Sequence, residues 1–316
     1  MKVIVTGAAG FVGSTLSETL LKRSDVDQVV GVDCLTDYYS RERKLANVAG
    51  LRDDRRFRFV EADLLDIDQH ELVDGASYVF HQAGQPGVRA SWGTSFETYT
   101  DRNISATQRL LEAVKGSPDL RRFVYASSSS VYGNTANFPT TENDLPQPFS
   151  PYGVTKLAAE HLCTLYAENY SVPTVSLRYF TVYGPRQRPD MAFDRFIRAA
   201  LGRETIQVYG SGKQIRDFTY VDDIVEGNIL AASSKIDPGK VFNLCGGSSV
   251  SIEQVLSMLE EVIGVRLTIE RGTAVPGDVT RTGGVADAAS ESLGWKPSVS
   301  LDEGLRRQVD YVRKTT

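Results

Sequence analysis

The chain has 316 residues, of which 41% are hydrophobic and 24% are charged, and this composition is typical of a globular protein. Its 35 basic and 40 acidic residues give a net charge of −5, so we expect no nucleic acid partner. The three cysteines and three histidines are scattered without metal-ligand spacing, so we predict neither a disulfide framework nor a metal site.

The N-terminal residues 1–7 have the pattern of a strand that enters a turn, and they lack the layout of a signal peptide. No apolar run approaches the roughly 20 residues that span a bilayer. The sequence therefore predicts a cytoplasmic protein with reduced thiols and no membrane partner.

The first half of the chain alternates apolar strands with helical patterns. Strands are predicted over 2–6, 28–33, 57–61, 78–82 and 122–127, and helices over 12–23, 101–115 and 151–169. Because these strands are unbroken apolar runs, both of their faces should be buried, as in a parallel sheet covered by helices. The pattern predicts an α/β fold with a doubly wound, mostly parallel, Rossmann-type sheet.

In the second half of the chain, strand and helix patterns alternate less regularly. Strands are predicted over 174–180, 206–210 and 216–221, and helices over 191–202, 252–263 and 301–314. Asp222 and Asp223 are expected to cap the helix after the last of these strands, and Ser251 to open a capping box with Gln254. We predict a smaller, discontinuous C-terminal α/β lobe at the carboxyl edge of the sheet, where ligands bind in open α/β folds.

A glycine-rich loop joins the first strand to the first helix. Gly7, Gly10 and Gly13 have the spacing G-x-x-G-x-x-G, and Phe11 and Val12 complete the loop. The first glycine allows a tight turn, the second lets a pyrophosphate approach the backbone, and the third lets the helix pack on the strand. The free N–H groups of the helix N-terminus would bind the phosphates. An ordinary tight βα turn is the alternative interpretation.

Acidic residues at strand ends extend this pattern. Asp33 ends the second strand 20 residues after Gly13, where an acid hydrogen-bonds the adenine ribose and repels a 2′-phosphate. The pattern therefore predicts NAD in preference to NADP, although a solvated acid is the alternative. Asp63 and Leu64 end the third strand and are candidate contacts of the adenine, with the same alternative.

One helix carries candidate catalytic residues. Ser150 is a suitable N-cap and Pro151 a suitable first residue for the helix that follows. Tyr152 and Lys156 are four residues apart, so their side chains share one face. An ammonium beside a phenol should lower the pKa of Tyr152 toward neutrality and make it a general base. Lys156 is also expected to hold the nicotinamide ribose.

A serine run, Ser127 to Ser130, ends the fifth strand. A hydroxyl at this point is placed to hydrogen-bond the same substrate oxygen as Tyr152. Turn-forming serines at a strand end are the alternative interpretation.

Together these residues resemble the extended short-chain dehydrogenase/reductase family, in particular its nucleotide-sugar epimerases and dehydratases. The resemblance covers essentially the whole chain. Its marks are Gly7, Gly10, Gly13, Asp33, Asp63, the segment His81-Gln82-Ala83-Gly84, Asn103, the motif at 128–133, Tyr152 with Lys156, and the segments 178–180 and 216–218. It implies that Gln82, Ala83 and Asn103 also contact NAD and that the substrate is a UDP-sugar.

The resemblance also implies a division of the chain. Residues 1–177, with a returning segment at about 218–245, would form the NAD-binding Rossmann domain. Residues 178–217 and 246–316 would form the nucleotide-sugar-binding lobe. The resemblance further implies a homodimer formed through the helices near 101–115 and 151–169.

The serine motif bears on the reaction. In the family, the position four before the tyrosine of Val-Tyr-Gly carries the catalytic hydroxyl, and here it is Ser128. Dehydratase-like relatives carry Asp and Glu at the next two positions and decarboxylase-like relatives keep the Glu, whereas this chain has Ser129 and Ser130. The resemblance thus implies 4-epimerisation through a 4-keto intermediate. Tyr152 would take the proton of the sugar 4-hydroxyl while a hydride passes transiently to tightly bound NAD.

The substrate loops resemble those of UDP-glucuronate 4-epimerases, in the segments 85–89 and 178–191. We assign Arg188 and Thr181 to the hexuronate carboxylate, because an arginine fork binds a carboxylate bidentately. Gly87 and Arg89 would form a further wall of the sugar site. A solvated or phosphate-binding role for Arg186 and Arg188 is the alternative.

Further substrate contacts follow from the resemblance. Arg216 would contact the diphosphate, and Arg281 with Asp278 would complete the UDP site, while Ser128 and Ser129 would face the sugar. An exposed arginine paired with Asp217 is the alternative for Arg216. Phe193, Val208 and Tyr209 are candidates for the uracil pocket, and core packing is the alternative for these three.

The sequence therefore predicts NAD-dependent 4-epimerisation of UDP-glucuronate to UDP-galacturonate. A UDP-glucose or UDP-N-acetylhexosamine 4-epimerase with the same machinery is the alternative. A UDP-glucuronate decarboxylase and a catalytically silent NAD-binding protein are more remote alternatives, the last because such proteins typically lose the tyrosine–lysine pair that this chain keeps.

Overall fold

The fold is taken from a computed structural model, which describes residues 1–273, 277 and 279–315. The strands of the described residues, numbered in chain order, are β1 (Lys2–Thr6), β2 (Gln28–Asp33), β3 (Phe57–Glu61), β4 (Ala76–His81), β5 (Arg122–Ser128), β6 (Thr174–Tyr179), β7 (Thr181–Tyr183), β8 (Ile206–Tyr209), β9 (Ile215–Tyr220), β10 (Lys240–Leu244), β11 (Ser249–Ser251) and β12 (Ile269–Gly272).

The helices of the same residues surround these strands. They are α1 (Phe11–Leu21), α2 (Arg41–Ala49), α3 (Gln69–Val73), α4 (Phe96–Tyr99), α5 (Ala106–Val114), α6 (Pro151–Tyr170), α7 (Ala192–Leu201), α8 (Val221–Ser233), α9 (Ile252–Ile263), α10 (Asp287–Leu293) and α11 (Leu301–Thr315). A π-helical turn, Thr100–Ser105, joins α4 to α5.

The central sheet is parallel, with the strand order β10-β6-β5-β4-β1-β2-β3. Strand β5 lies near its middle and is buried along its whole length. Leu16 of α1 and Ile224 of α8 belong to the apolar core on one face, and Leu110 of α5 and Ala159 of α6 to the core on the other. The predicted α/β fold with a doubly wound parallel sheet is confirmed.

Two small sheets lie beyond the central one. Strands β11, β9 and β7 form the first, and β12 pairs in parallel with β8 in the second. An aromatic cluster packs beneath them, in which the rings of Tyr183, Phe193, Phe218 and Tyr220 have centroids 4.5–6.2 Å apart. Strand β10 and helix α8 return to the central sheet between these segments. The boundaries of the two predicted lobes stay a prediction.

Most predicted elements lie within a few residues of the observed ones. The capping box of Ser251 and Gln254 is present, and Ser150 caps α6 by accepting a hydrogen bond from the Gly153 N–H at 3.2 Å. The predicted capping by Asp222 and Asp223 is wrong, because both lie in the first turn of α8 after an N-cap at Tyr220. The short helices α2 and α3 were not predicted.

Asp223, which does not cap α8, stabilises the packing of this helix. The buried Asp223 carboxylate accepts hydrogen bonds from the Ser298 and Val299 N–H groups, at 3.0 and 3.2 Å, and so ties α8 to the segment before α11. Within the described ranges, no helix is both long and apolar enough to cross a membrane.

Candidate active site

A cavity of about 440 Å³ opens at the carboxyl ends of the central strands. Its volume lies within the range of ordinary ligand sites. Of the residues predicted to bind cofactor or substrate or to catalyse, those that line it are Gly7, Gly10, Phe11, Val12, Gly13, Asp33, Asp63, Leu64, Gln82, Ala83, Gly87, Ser128, Ser129, Tyr152, Lys156, Thr181 and Arg188.

The glycine loop leaves the start of α1 open. Gly7 has φ +68°, and a Cβ there would lie 2.8 Å from the Ala83 backbone nitrogen, so the turn and the close approach both need glycine. A Cβ on Gly13 would overlap the Gly7 carbonyl oxygen. Among the described residues no side chain caps Gly10, and the first turn of α1 has no acid. The N–H groups of this turn are therefore placed to bind a pyrophosphate.

Asp33 lies at the far side of the glycine loop. Its carboxylate accepts hydrogen bonds from the Ala9 N–H at 3.0 Å and the Leu35 N–H at 2.8 Å. Burial raises the pKa of this carboxyl group, and the backbone donors and the nearby Lys44 ammonium oppose that shift. Each oxygen keeps a free lone pair for a ribose hydroxyl, so the predicted contact is sterically and chemically possible.

The rest of this end of the cavity also suits an adenosine. Asp63 is 3.9 Å from the Arg102 guanidinium, and Leu64 supplies an apolar wall. The buried hydroxyl of Tyr39, a cavity residue, has no hydrogen-bond partner in the part of the chain that the structure describes. A buried hydroxyl without a partner is costly unless a ligand satisfies it. The open helix start and this hydroxyl together fit a dinucleotide cofactor.

Helix α6 places Lys156 at the other end of the cavity. The Nζ atom of Lys156 donates a hydrogen bond to the Ala126 carbonyl oxygen at 2.8 Å and lies 5.1 Å from the centroid of the Tyr125 ring. Burial lowers the pKa of Lys156 to about 8. The ammonium is therefore held next to the strand end that carries the serine run.

Tyr152 shares this helix face, but its pKa shifts in the direction opposite to the prediction. Burial raises the pKa of its phenol, while the Ser128 hydroxyl and the Arg188 charge lower it. The expected lowering by Lys156 is not what the structure shows, because desolvation disfavours the phenolate and the ammonium bonds Ala126 instead. Ser128 and Tyr152 therefore lie on the same cavity, and their shared contact with one substrate oxygen stays a prediction.

Ser128 sits at the point where β5 ends. Its hydroxyl accepts a hydrogen bond from the Ser130 N–H at 3.1 Å and caps the short 3-10 turn that follows. Both Ser129 and Ser130 line the cavity at this turn. Uncharged hydroxyls therefore stand at the positions where dehydratase-like relatives carry acids.

A buried ion pair behind the serine run escaped the sequence analysis. The Glu160 carboxylate accepts hydrogen bonds from Arg178, at 3.0 Å from Nε and 2.6 Å from Nη2, and from the Ser127 hydroxyl at 2.6 Å. Arg178 also donates to the Tyr132 hydroxyl at 2.7 Å, which donates to Asn243 at 2.7 Å. The segment 178–180 was noted as a family mark, but its partner lies 18 residues away on another element.

The predicted cofactor contacts in and near the loop after β4 differ in their position relative to the cavity. Gln82 and Ala83 line the cavity, whereas Asn103 does not line it as far as the described residues define it. The buried Asn103 amide accepts from the Gln85 N–H at 2.6 Å and donates to the Gln85 carbonyl at 3.1 Å and Thr155 at 2.9 Å. It holds this loop against α6, and its contact with NAD stays a prediction.

Arg188 lines the cavity beside Tyr38. Its Nε and Nη2 atoms donate to the two oxygens of Asp190 at 3.0 Å each, and the Tyr38 hydroxyl donates to Asp190 at 3.3 Å. Asp190 is not among the described residues that line the cavity. The bonds to Asp190 use one edge of the guanidinium and leave Nη1 for a ligand. Gly87, at φ +101°, packs its backbone against Tyr38.

The loop that carries Arg188 is held from two other elements. Arg186, which adopts φ +67°, donates to Glu18 of α1 at 2.7 Å and is not among the described residues that line the cavity. The Gln308 side chain of α11 accepts from the Gly184 N–H at 3.0 Å and donates to Gln187 at 2.9 Å. These hydrogen bonds fix the backbone of the loop and therefore the position from which the Arg188 side chain extends.

Several predicted substrate contacts lie outside this cavity. Phe193 and Val208 are fully buried in the core, so packing accounts for both. Tyr209 is 37% exposed, and the guanidinium carbons of Arg89 and Arg195 lie 4.3 and 5.2 Å from its ring centroid. The roles of these residues at the uracil or the sugar stay predictions.

The predicted diphosphate contacts are only partly described. Arg216 donates a hydrogen bond to the Ile215 carbonyl oxygen at 2.8 Å, and the Arg281 guanidinium lies 3.3 Å from the centroid of the Phe138 ring. An isolated bridge between Ile215 and Arg281 brings their two segments side by side. Asp278 lies outside the described residues, so the contact of Arg216 with the diphosphate and the completion of the UDP site by Arg281 and Asp278 stay predictions.

Other residues of the cavity were missed. Lys44 donates to the Thr36 hydroxyl at 2.9 Å, and the Tyr179 hydroxyl lies 3.0 Å from Gln82 Oε1. Tyr38 and Tyr39 belong to the same group. Tyr38, Tyr39 and Lys44 could have been predicted from the sequence. They belong to a segment rich in tyrosine and polar residues that follows Asp33, at the edge of the sheet where ligands bind.

Comparisons with known proteins agree with this geometry. A family model described as "Epimerase: NAD dependent epimerase/dehydratase family" matches residues 3–245. A Bacillus subtilis (strain 168) protein named "Uncharacterized UDP-glucose epimerase YtcB" is 41% identical, over 99% of this chain and 98% of its own length. A "UDP-glucuronate 4-epimerase" of Thermodesulfobacterium geofontis (strain OPF15) is 37% identical, over 98% of this chain and 96% of its own length.

One solved structure is similar along its whole length. The UDP-glucuronic acid 4-epimerase from Bacillus cereus, in complex with UDP-glucuronic acid and NAD, superposes with a TM-score of 0.97. It is 44% identical to this chain, and the match covers 100% of each chain.

Proposed function

Because the chain belongs to the NAD dependent epimerase/dehydratase family, we propose that it is a 4-epimerase that interconverts UDP-glucuronate and UDP-galacturonate. The family membership confirms the resemblance drawn from the motifs and the predicted NAD cofactor. Gly7, Gly10 and Gly13 would hold the pyrophosphate at the start of α1. Asp33 would hold the adenine ribose, and Lys156 the nicotinamide ribose.

In the proposed reaction, the phenolate form of Tyr152 accepts the proton of the sugar 4-hydroxyl and later returns it. Ser128 donates a hydrogen bond to the same oxygen and stabilises the carbonyl that forms there. Bound NAD supplies the hydride acceptor and donor at C4. Lys156 adds a positive charge near this oxygen when the pH lies below its pKa of about 8. Ser129 and Ser130 place no carboxylate at the two positions where dehydratase-like relatives carry Asp and Glu.

The position of Arg188 supports a hexuronate as the sugar. Arg188 lines the cavity with Tyr152 and Thr181, and its charge is near enough to lower the pKa of the Tyr152 phenol. A cation at the sugar end of the cavity can bind the carboxylate at C6, which a neutral hexose lacks.

A neutral hexose is the second candidate, and the Arg188–Asp190 ion pair favours it. Asp190 already balances the charge of Arg188, so the sugar end of the cavity has little net charge. The Bacillus subtilis relative named a UDP-glucose epimerase has a similar identity to that of the glucuronate relatives. The two candidates differ only in the group at C6 of the sugar.

Substrate conversion distinguishes the candidates. The purified protein is incubated separately with UDP-glucuronate, UDP-glucose and UDP-N-acetylglucosamine, and the anomeric and H4 proton signals are followed by NMR. We expect the galacto epimer of the uronate only, with no UDP-pentose. Conversion of the neutral sugars alone would replace the first candidate with the second, and a UDP-pentose would identify a decarboxylase.

Replacing Arg188 tests its assignment. In Arg188→Ala the KM for UDP-glucuronate should rise roughly 10-fold or more, because the variant loses a charge-assisted hydrogen bond to the carboxylate. Steady-state kinetics measures this change. Arg306→Ala, which removes an exposed arginine of α11, is the matched control. An unchanged KM in Arg188→Ala would remove Arg188 from the sugar site.

The predicted cytoplasmic location, homodimer and two-lobe division belong to the same proposal. Exposed apolar side chains on α4 and α6, namely Phe96, Val154 and Leu165, support a partner on that face. The return of α8 and β10 to the central sheet supports a cofactor domain that includes the segment at about 218–245.

A further inference from the structure

Three successive turns of α6 contact the end of β5. Tyr152, Lys156 and Glu160 are four residues apart, so they form one stripe along the helix. Tyr152 lines the cavity together with Ser128, which lowers the pKa of its phenol, and Lys156 donates to the Ala126 carbonyl at 2.8 Å, while Glu160 accepts from the Ser127 hydroxyl at 2.6 Å. The first two contacts involve the proposed catalytic residues. The third contact has no role in the reaction described above.

The third contact is deeply buried and balanced in charge. The side chains of Glu160 and Arg178 are only 3% and 5% exposed, and their closest N···O distance is 2.6 Å. Arg178 lies on β6 directly beside Ser127 of β5 in the sheet register. The ion pair therefore fastens helix α6 to two neighbouring strands at the level of the serine run.

We infer that Glu160, through Ser127, is a positioning residue that sets the distance between Ser128 on the strand and Tyr152 on the helix. This inference rests on the proposed epimerase function only for its effect on turnover. Ser127 and Ser128 are adjacent, so a hydroxyl fixed at one of them fixes the backbone of the other. A charge-assisted hydrogen bond is short and directional, which suits it to this task.

The charge of Glu160 is not what acts on Tyr152. Arg178 neutralises Glu160 and also donates to the uncharged Tyr132 hydroxyl. The further charged group beside this network is the Glu142 carboxylate, which accepts from the Asn243 N–H at 2.7 Å and interacts with Arg178. The pair therefore acts through position, and removal of the Ser127 hydroxyl changes no charge. This makes Ser127→Ala a cleaner variant than any change at Glu160, which would leave Arg178 buried without its partner.

Ser127→Ala should lower kcat roughly 10-fold, because a small misplacement of catalytic groups costs that much or more. The KM and the NAD affinity should change less than about twofold, since the cofactor and substrate contacts remain. Ser127→Thr, which keeps a hydroxyl, should restore most of kcat. A rise in KM with unchanged kcat would instead make Ser127 a substrate contact and overturn the inference.

Ser176→Ala is the matched control. Ser176 is a buried serine of β6 whose hydroxyl opposes the rise that burial causes in the pKa of the Cys163 thiol of α6, so it faces the same helix from the same sheet. It does not line the cavity in the described part of the chain. This variant loses the same group between helix and sheet, and its kcat should stay within twofold of the wild type. An equal loss of kcat in both variants would indicate general loosening and would overturn the inference.

A double variant tests the route of the effect. If the Ser127 hydroxyl matters only because Glu160 holds it in place, then Glu160→Gln with Ser127→Ala should have the same kcat as Glu160→Gln alone. Additive losses would contradict this route. Thermal unfolding by circular dichroism checks that each variant is folded, and Ser127→Ala alone decides the question if Glu160→Gln does not fold.

A spectroscopic measurement needs no sugar. In protein labelled with ¹³Cζ-tyrosine, the Tyr152 signal is assigned by its absence in Tyr152→Phe. It should shift in Ser127→Ala, because Ser128 moves relative to the Tyr152 phenol, and should stay in place in Ser176→Ala. An unmoved signal would overturn the inference. If no UDP-sugar is converted by the wild type, the proposed function fails, whereas this measurement still decides the positioning role.

Discussion

Burial shifts the pKa values of the two proposed catalytic residues in opposite directions. It raises the pKa of Tyr152 and lowers that of Lys156 to about 8. Both shifts favour the neutral forms, so the site is set for a phenol that gives up its proton only when partners stabilise the phenolate. Ser128 and Arg188 are the partners that the structure provides.

Tyr152→Phe should retain NAD binding and lose nearly all turnover. The phenyl ring keeps the packing against Tyr99, whose ring centroid is 6.3 Å away, but it has no oxygen to accept a proton. General base catalysis contributes roughly 10²- to 10⁴-fold, so kcat should fall by a factor in that range. Turnover assays and calorimetric titration with NAD measure the two properties. Retained turnover would exclude Tyr152 as the base.

His81 should make the stability of the protein depend on pH. Its ring lies between the Thr6 and Thr107 hydroxyls, at 2.8 and 2.9 Å, and burial lowers its pKa from 6.5 to about 3. Below pH 6.5 the unfolded state binds a proton that the folded state excludes. The free energy of unfolding should therefore fall by about 1.4 kcal/mol for each pH unit below 6.5, a loss that continues toward pH 3.

Urea unfolding at pH 7.5 and pH 5 measures this loss. The wild type should lose about 2 kcal/mol more than His81→Gln over this interval, because glutamine does not titrate. Equal losses in the two proteins would show that other groups account for the acid sensitivity.

At the scale of elements, the turn between β1 and α1 tolerates little change. Gly13→Ala would place a Cβ against the Gly7 carbonyl oxygen and push the helix start away from the strand. We expect the NAD affinity to fall at least 10-fold, on the order of 1.4 kcal/mol. Gly50→Ala is the matched control, since Gly50 has φ −67° and no described neighbour within 4 Å of the added carbon. Equal NAD affinities in the two variants would contradict this account.

Local patterns predicted the elements that carry the site. The run from Ser150 to Lys156 contains its own cap, its proline and its four-residue spacing, so α6 and its catalytic face were accessible from the sequence. The glycine loop was accessible for the same reason. The Glu160–Arg178 and Arg188–Asp190 pairs were not predicted. The first depends on the pairing of distant elements, and the second on the orientation of a side chain that either a ligand or a neighbour could satisfy.

The pKa of Tyr152 is a further property that local sequence patterns could not predict. The spacing of Tyr152 and Lys156 predicted a shared face, which the structure has, but not the depth of burial. Desolvation depends on what covers the face, and that cover comes from other parts of the chain. Packing of the whole fold therefore decided the direction of this shift.

At the scale of the whole molecule, the exposed apolar side chains of α6 predict self-association. Val154 and Leu165 are 47% and 50% exposed. Light scattering after size exclusion should give twice the chain mass of 34.7 kDa for the wild type. Leu165→Glu with Val154→Glu should give the monomer mass, because buried charges without partners oppose association. Leu145→Glu, on a 73% exposed loop residue, should leave the dimer intact. A monomeric wild type would contradict the prediction.

The hydrogen bonds from Gln308 to the loop that carries Arg188 have a consequence for the order in which the chain folds during synthesis. The central sheet is complete once β10, which ends at Leu244, has been synthesised, so the nucleotide cleft can form early. The hydrogen bonds from Gln308 to Gly184 and Gln187 come from α11 and are added only when that helix leaves the ribosome. A nascent chain would thus be able to bind its dinucleotide before it completes the wall that we propose contacts the sugar.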